Sequence, residues 1–131
     1  MSSPKFHVSV NTQFLLDQSD PASELYTFAY FVTIKNVGDI AAQLIGRHWV
    51  IEDAKGNHHE VKGLGVVGQQ PLLQPGESFT YNSGTQIASP VGSMHGTYFC
   101  IAEDTTRFEA QIPVFSLRAD TPELAAASAL H

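Results

Sequence analysis

Apolar side chains recur at every second position along several stretches of this chain, and this periodicity constrains the fold more than any other feature. Phe6, Val8 and Val10 alternate with polar neighbours, and between Tyr26 and Lys35 one side of the segment carries only aromatic and β-branched residues. A strand places successive side chains on opposite faces, so the alternation predicts half-buried β-strands. Helical periodicity is almost absent before the last residues, which indicates an all-β domain.

Turn-forming residues divide the chain into segments of strand length. Turns are predicted at Asn36–Asp39 and at Asp53–Asn57, the second of them joining two strands in a hairpin. Pro113 places the last predicted strand at a sheet edge or beside a bulge, because proline cannot donate a hydrogen bond to a neighbouring strand. Strands are predicted at residues 6–10, 26–35, 43–52, 58–62, 77–83, 97–102 and 108–117.

The number and spacing of these segments predict the architecture. Roughly seven or eight short antiparallel strands separated by turns are typical of an immunoglobulin or fibronectin type III-like β-sandwich, and a small barrel is the alternative. We assign residues 1–118 to this sandwich domain. In the tail, residues 119–131, alanine becomes frequent, and Thr121 followed by Pro122 allows a short helix as readily as a frayed, disordered end.

Composition and charge exclude several classes of protein. Hydrophobic residues make up 43% of the 131 residues and charged residues 15%, which suits one folded core. The formal net charge is −6 with only seven Lys and Arg, so nucleic-acid binding is not expected. A single cysteine, Cys100, permits no intramolecular disulfide. Without an apolar run for a signal sequence or a membrane span, we expect a cytoplasmic protein and no membrane insertion.

A glycine-rich segment in the middle of the chain has the spacing of a dinucleotide-binding fingerprint, with Gly63, Gly65 and Gly68 as G-x-G-x-x-G. That fingerprint needs a helix beginning at the glycines, because the amides at its N-terminus bind the pyrophosphate. Gln70 and Pro71 follow here, and the next periodic segment is a strand, so a Rossmann site is not predicted. Two interpretations remain: an anion-binding nest of glycine amides, or positive φ angles where the chain crosses between sheets.

Four apolar residues, Val66, Val67, Leu72 and Leu73, lie in or beside this segment, where a surface loop is expected. Either they fold back as a plug of the core, or they form an apolar patch for a partner. We favour the plug, because a small domain needs most of its apolar residues in its core.

No constellation of residues predicts catalysis or a metal site. His58, His59 and Glu60 resemble a ligand cluster, but adjacent strand residues point to opposite faces, so the two histidines cannot bind one ion together. His48 on the preceding strand can approach His58 or Glu60, which still falls short of a complete set of ligands. Cys100 lies in an apolar strand, where a buried structural thiol is expected. We therefore predict no catalytic residue, no cofactor and no metal ligand.

Several segments, in order, resemble the bacterial ApaG family, which is also called CorD. They cover roughly residues 5 to 118, and the order in which they occur makes the resemblance specific. The segments that carry it are Arg47–Asp53, Gly63–Pro71, Leu73–Gly84, Gly92–Tyr98 and Ile112–Leu117.

The resemblance implies a fibronectin type III-like sandwich, in agreement with the strand count. The name CorD ties the family to cobalt and magnesium efflux, and the same domain in eukaryotic F-box proteins resembles a protein-interaction module. The gene often neighbours one for diadenosine tetraphosphate hydrolysis, which hints at nucleotides. The resemblance implies no enzymatic activity, and only the glycine-rich segment matches the family's most characteristic stretch.

These observations predict a non-enzymatic binding module that recognises an unknown protein partner through the glycine-rich loop and the adjoining strand surface. The alternative is a binder of a phosphate-bearing molecule or a divalent cation through the same loop. The protein is expected to be a monomer or a weak homodimer. The predicted binding residues are Gly63, Gly65, Val66, Val67, Gly68, Gln70 and Pro71.

Overall fold

The computed structural model describes residues 3–119 and contains almost only β-strands. Two short 3-10 helices, Leu16–Gln18 and Pro21–Ser23, lie between the first and second strands. The all-β prediction is confirmed. The strands are β1 (Phe6–Phe14), β2 (Tyr26–Asn36), β3 (Ala42–Asp53), β4 (His58–Leu64), β5 (Leu72–Leu73), β6 (Ser78–Ile87), β7 (Val91–Ala102) and β8 (Arg107–Arg118).

The strands form two antiparallel sheets, as the sandwich prediction requires. The smaller sheet has the order β1-β2-β6, and the larger has the order β4-β3-β7-β8 with β5 paired to one end of β3. The strands at one side of the sandwich, β1 and β8, lie next to each other. At the other side, β6 and β4 end their sheets, and the glycine-rich segment lies there.

The core lies between the sheets and is built from the inward side chains that the alternation predicts. Trp49 is buried at its centre, with its ring centroid 5.3 Å from that of Tyr30 and 5.9 Å from that of Phe115. Phe28 and Leu44 are fully buried on opposite sheets. Aromatic pairs in these tilted and edge-on arrangements add to the free energy of burial.

Pro113 lies where its sequence context predicts. It belongs to β8, an edge strand, and the pairing of β8 with β7 shifts between Met94 and Gly96. Pro113 and Val114 therefore face a single residue of β7, His95, which is the arrangement of a β-bulge.

The strand boundaries differ from the sequence prediction mainly in β7, which begins at Val91 and not at residue 97. Gly92 and Gly96 weaken the strand signal there, yet both are paired with β3. A Cβ at Gly96 would lie 2.2 Å from the carbonyl oxygen of His48, so the close approach of β3 requires glycine. The two-residue strand β5 is too short for its periodicity to be detected.

The chain is described as far as Ala119, which is buried and donates its amide to the carbonyl of Pro90 at 2.8 Å. Residues 120–131, where a short helix or a disordered tail is predicted, lie outside the described residues. Among residues 3–119, no helix has the length and apolarity that crossing a membrane requires.

Candidate functional site

The glycine-rich segment leaves β4 on the larger sheet, reaches the smaller sheet and returns to β3 through β5. At its tip, the amides of Val66 and Gln69 each donate to the other residue's carbonyl, at 2.8 and 2.9 Å. Val67 and Gly68 between them have φ angles of +43° and +80°. Positive φ at both central residues defines a type I′ turn. The segment is therefore a tight hairpin, and the positive φ of the second interpretation is found at Gly65 and Gly68 but not at Gly63.

Both ends of this loop are tied to β3. Arg47 Nη1 donates to the carbonyls of Leu64 and Gly65, at 3.0 and 2.9 Å. On the returning side, the Gln70 side chain donates to the carbonyl of Ile45 at 2.9 Å, and Pro71 accepts a hydrogen bond from the amide of Leu44. Because these bonds hold the loop at its base, the tip is presented at a fixed position.

Two of the predicted binding residues are glycines whose surroundings leave little space, and the loop geometry requires glycine at one of them, Gly65. A Cβ at Gly63 would lie 2.8 Å from Nη1 of Arg47, so the guanidinium rests directly on this backbone. Gly65 has a φ of +66°, and a Cβ there would lie 2.4 Å from the carbonyl oxygen of Gln69. Gly65 allows the loop to close on itself, Gly63 makes room for the Arg47 guanidinium, and neither needs a ligand to explain it.

The apolar residues of the loop divide evenly between the core and the surface. Val66 and Leu73 are buried, as the plug interpretation predicts, whereas Val67 is 54% and Leu72 is 58% exposed. The division follows from the geometry: neighbours in the tight turn and in β5 point in opposite directions. The prediction of a core plug is therefore right for one residue of each pair and wrong for the other.

The loop amides do not favour the anion-nest alternative. The amide of Gly65 donates to the carbonyl of Ile45 at 2.8 Å. The amide of Val66 donates to the carbonyl of Gln69, and the amide of Gln69 donates to the carbonyl of Val66. Three amides of the loop are thus used within the fold.

Beside the loop, apolar side chains lie on the outward face of the larger sheet. Leu64 is 77% exposed, and β-sheet register places Leu64, Gly46 and Phe99 in one row across β4, β3 and β7. A parallel row contains Leu72 and Ile101 on either side of Gln43. We call these side chains, with Ile45 at the β3 bulge, the outer patch: Ile45, Leu64, Leu72, Phe99 and Ile101.

A concavity of about 610 Å³ adjoins the outer patch and is lined by Ile45, Phe99 and Ile101 together with β8 residues. Arg107 and Glu109 at its rim are the charged groups of this lining. Sequence reasoning missed Leu64, Phe99 and Ile101 as surface residues. The sequence feature that could have indicated this surface is the run Tyr98–Ala102, which is apolar on both faces of the strand. A strand of this kind is expected to have both faces covered, the outward one included.

The histidines and acidic residues of the same sheet form pairs. His48 Nε2 lies 3.0 Å from Glu60 Oε1, as the strand geometry predicts, and His58 Nδ1 lies 3.4 Å from Glu52 Oε1. Across the described part of the chain, no three His, Cys, Asp or Glu side chains lie together so as to hold a metal ion. The divalent-cation alternative gains no support from this arrangement.

Potential nucleophiles within the sandwich are buried and protonated. Burial raises the pKa of the Cys100 thiol to about 12, so the reactive thiolate is scarce near neutral pH. Burial likewise raises the pKa of Tyr81 to about 12, and it also raises that of Tyr98, whose hydroxyl is hydrogen-bonded to the Tyr81 hydroxyl. These groups act as structural elements of the core.

Comparison with known proteins agrees with the fold. The family model described as the ApaG domain matches residues 16–102. Protein ApaG of Thiobacillus denitrificans is 58% identical over 113 residues, which cover 86% of this chain and 89% of the relative. Protein ApaG of Ralstonia nicotianae is 56% identical, with 89% and 94% covered.

A solved structure gives the same result. In a crystal structure from Bordetella pertussis, a protein that carries the name ApaA superposes with a TM-score of 0.86 at 49% identity. The superposition covers 88% of this chain and 94% of that one. On the family match, the identity of its relatives and the shared fold, this chain belongs to the ApaG family.

Proposed function

We propose that this chain is a non-enzymatic protein-binding module that engages a partner through the outer patch, with the glycine-rich loop at its rim. The observation that carries the proposal is the exposure of large apolar side chains in adjoining rows of one sheet face. A contiguous apolar surface rimmed by polar groups is characteristic of protein contact sites.

The surrounding groups support recognition of a protein over recognition of an ion. Glu60 and Lys62 on β4, and Arg107 and Glu109 on β8, place charges of both signs around the apolar rows. Charges of both signs around an apolar surface orient a partner protein, but they do not selectively attract either cations or anions. The link to cobalt and magnesium efflux implied by the family name would then run through a cytoplasmic partner protein.

Charge substitution in the outer patch tests the proposal. Leu64→Asp and Leu72→Asp place a carboxylate among apolar contacts, and because both residues are more than half exposed, the fold should survive. The matched control is Val114→Asp, since Val114 is also apolar and 70% exposed but lies on β8 at the opposite side of the sheet.

Partners captured from a lysate of the source organism by the wild-type protein are identified by mass spectrometry and then titrated as purified proteins. We expect each patch variant to weaken binding at least about tenfold, and Val114→Asp to bind as the wild type does. Equal affinity of all the variants for every purified partner would contradict the proposed surface.

A further inference from the structure

The edge of the smaller sheet formed by β6 is long, regular and uncharged. Its ten residues, Ser78–Ile87, include no Lys, Arg, Asp, Glu or Pro, and its pairing with β2 runs without a register shift. Natural sheet edges are commonly protected by charge, proline or a bulge, because an unprotected edge pairs with other chains. β6 carries none of these features.

The other edge strands are protected. β4 contains Glu60 and Lys62, and β8 contains Arg107, Glu109 and a bulge at Pro113. β1 is poor in charge, but β8 lies next to it, and the charged Lys5 and Glu109 line the groove between the two strands. Within residues 3–119, β6 has β2 as its only strand neighbour, so alternate N–H and C=O groups of β6 point away from the sheet.

A groove of about 530 Å³ adjoins this edge. Phe31, Phe79 and Tyr81 of the smaller sheet contribute to its lining, and Val67 and Gln69 of the loop tip contribute from the other side. One residue of an extended strand fills a slab of about 3.3 × 4.8 × 10 Å, so the groove holds roughly three residues. The groove is therefore large enough for a short extended segment.

We propose that β6 and the loop tip form a peptide site, in which an extended, uncharged segment of a partner protein adds to the smaller sheet as a fourth strand. The proposal rests on the proposed function as a protein-binding module and adds to the outer patch a second contact site, at the edge of the smaller sheet. The edge groups of β6 supply the main-chain hydrogen bonds, and the groove receives alternate side chains of the peptide.

The chemistry of the groove selects the occupant. None of its lining residues is charged, although the chain has a formal net charge of −6. A charged peptide side chain would lose hydration there without gaining a partner, which favours uncharged and apolar residues. The loop tip contributes to the lining of the groove, and the volume holds only roughly three residues, so a short peptide fits better than the sheet of a second copy.

Short random peptides displayed on phage are selected against the full-length protein, and synthetic versions of the selected peptides serve as probes. We expect alternating, uncharged sequences. Amide hydrogen exchange followed by NMR should show the outward amides of β6 slowed at least roughly tenfold when peptide is bound.

Asn82→Lys and Thr80→Lys place a charge on exposed positions of the β6 edge, and each should weaken peptide binding at least about tenfold. Gln111→Lys, an exposed position on β8, is the matched control and should leave peptide binding unchanged. Wild-type affinity of both β6 variants would overturn the assignment.

The remaining outcomes separate this inference from the proposed function. Peptides that perturb Leu64, Leu72 and Phe99 but leave β6 exchange unchanged would overturn the β6 site and support the outer patch. Failure to select any peptide would overturn the β6 site. The outer patch would still be tested separately by the Leu64 and Leu72 variants. Protection of β6 that rises with protein concentration, without peptide, would show a second copy as the occupant and overturn the peptide assignment.

Discussion

Val67 holds a backbone conformation that a β-branched side chain rarely adopts. Its φ of +43° lies in the left-handed region, and the residue sits at the first central position of the type I′ turn, where Asn or Gly is the usual choice. Such strain persists only where the surroundings hold it, and it concentrates at sites of binding. Here Val67 also lines the groove beside β6.

Replacing Val67 should therefore change the stability of the fold and the binding of peptide in opposite directions. We expect Val67→Asn to raise the free energy of unfolding by about 1 kcal/mol, because Asn tolerates the left-handed conformation. The same change should weaken binding of the selected peptides, since an apolar wall of the groove is lost. Urea denaturation and peptide titration measure the two effects. Val114→Asn, at an exposed position of β8, is the control, and a net loss of stability in Val67→Asn would contradict the strain argument.

The loop as an element depends on a glycine that does more than accommodate a positive φ. Gly65 and Gly68 both have positive φ, but only at Gly65 would a Cβ meet another atom, the Gln69 carbonyl oxygen at 2.4 Å. A Cβ at Gly68 would have no neighbouring atom within 4 Å. The two residues therefore form a matched pair within one loop.

We expect Gly68→Ala to lower the free energy of unfolding by about 1 kcal/mol, the cost of left-handed backbone. Gly65→Ala should cost at least about 2 kcal/mol more, because the turn must open to relieve the contact. Thermal or urea denaturation measures both variants. Equal losses would mean that the loop shifts freely and that its tip is not held by Arg47 and Gln70.

The elements show how far the sequence can be interpreted. Alternation located most strands because β-branched and aromatic residues mark the inward face. It failed at the start of β7, where Gly92 and Gly96 are required by the approach of β3 and carry no apolar signal. Val66 and Val67 are adjacent valines that the sequence does not distinguish. The turn buries Val66 and exposes Val67.

At the scale of the whole molecule, the fold class follows from periodicity, but the candidate surfaces do not. The outer patch needs the register of β4, β3 and β7, which places Leu64 and Phe99 in one row. The β6 site needs the strand order, because a segment without charge is harmless in the middle of a sheet and exposed at its edge. Both depend on contacts between residues far apart in the chain.

The two sheets are joined across the core by the hydrogen bond between the hydroxyls of Tyr81 on β6 and Tyr98 on β7. Burial raises the pKa of Tyr81 from 10.0 to about 12, and that of Cys100 from 9.0 to about 12. In this range the unfolded chain loses these protons before the folded protein does. The unfolded state therefore binds fewer protons, and the free energy of unfolding must fall as pH rises.

We expect these groups to contribute little change in stability between about pH 6 and 8, and stability to decline between about pH 9 and 12 by up to about 1.4 kcal/mol per pH unit for each group. Urea denaturation across this range measures the slope. The double variant Tyr81→Phe/Tyr98→Phe removes both phenols together and leaves no buried hydroxyl unpaired, so its decline should be shallower than that of the wild type. An unchanged slope in the double variant would show that the tyrosine pair does not link the stability of the sandwich to pH.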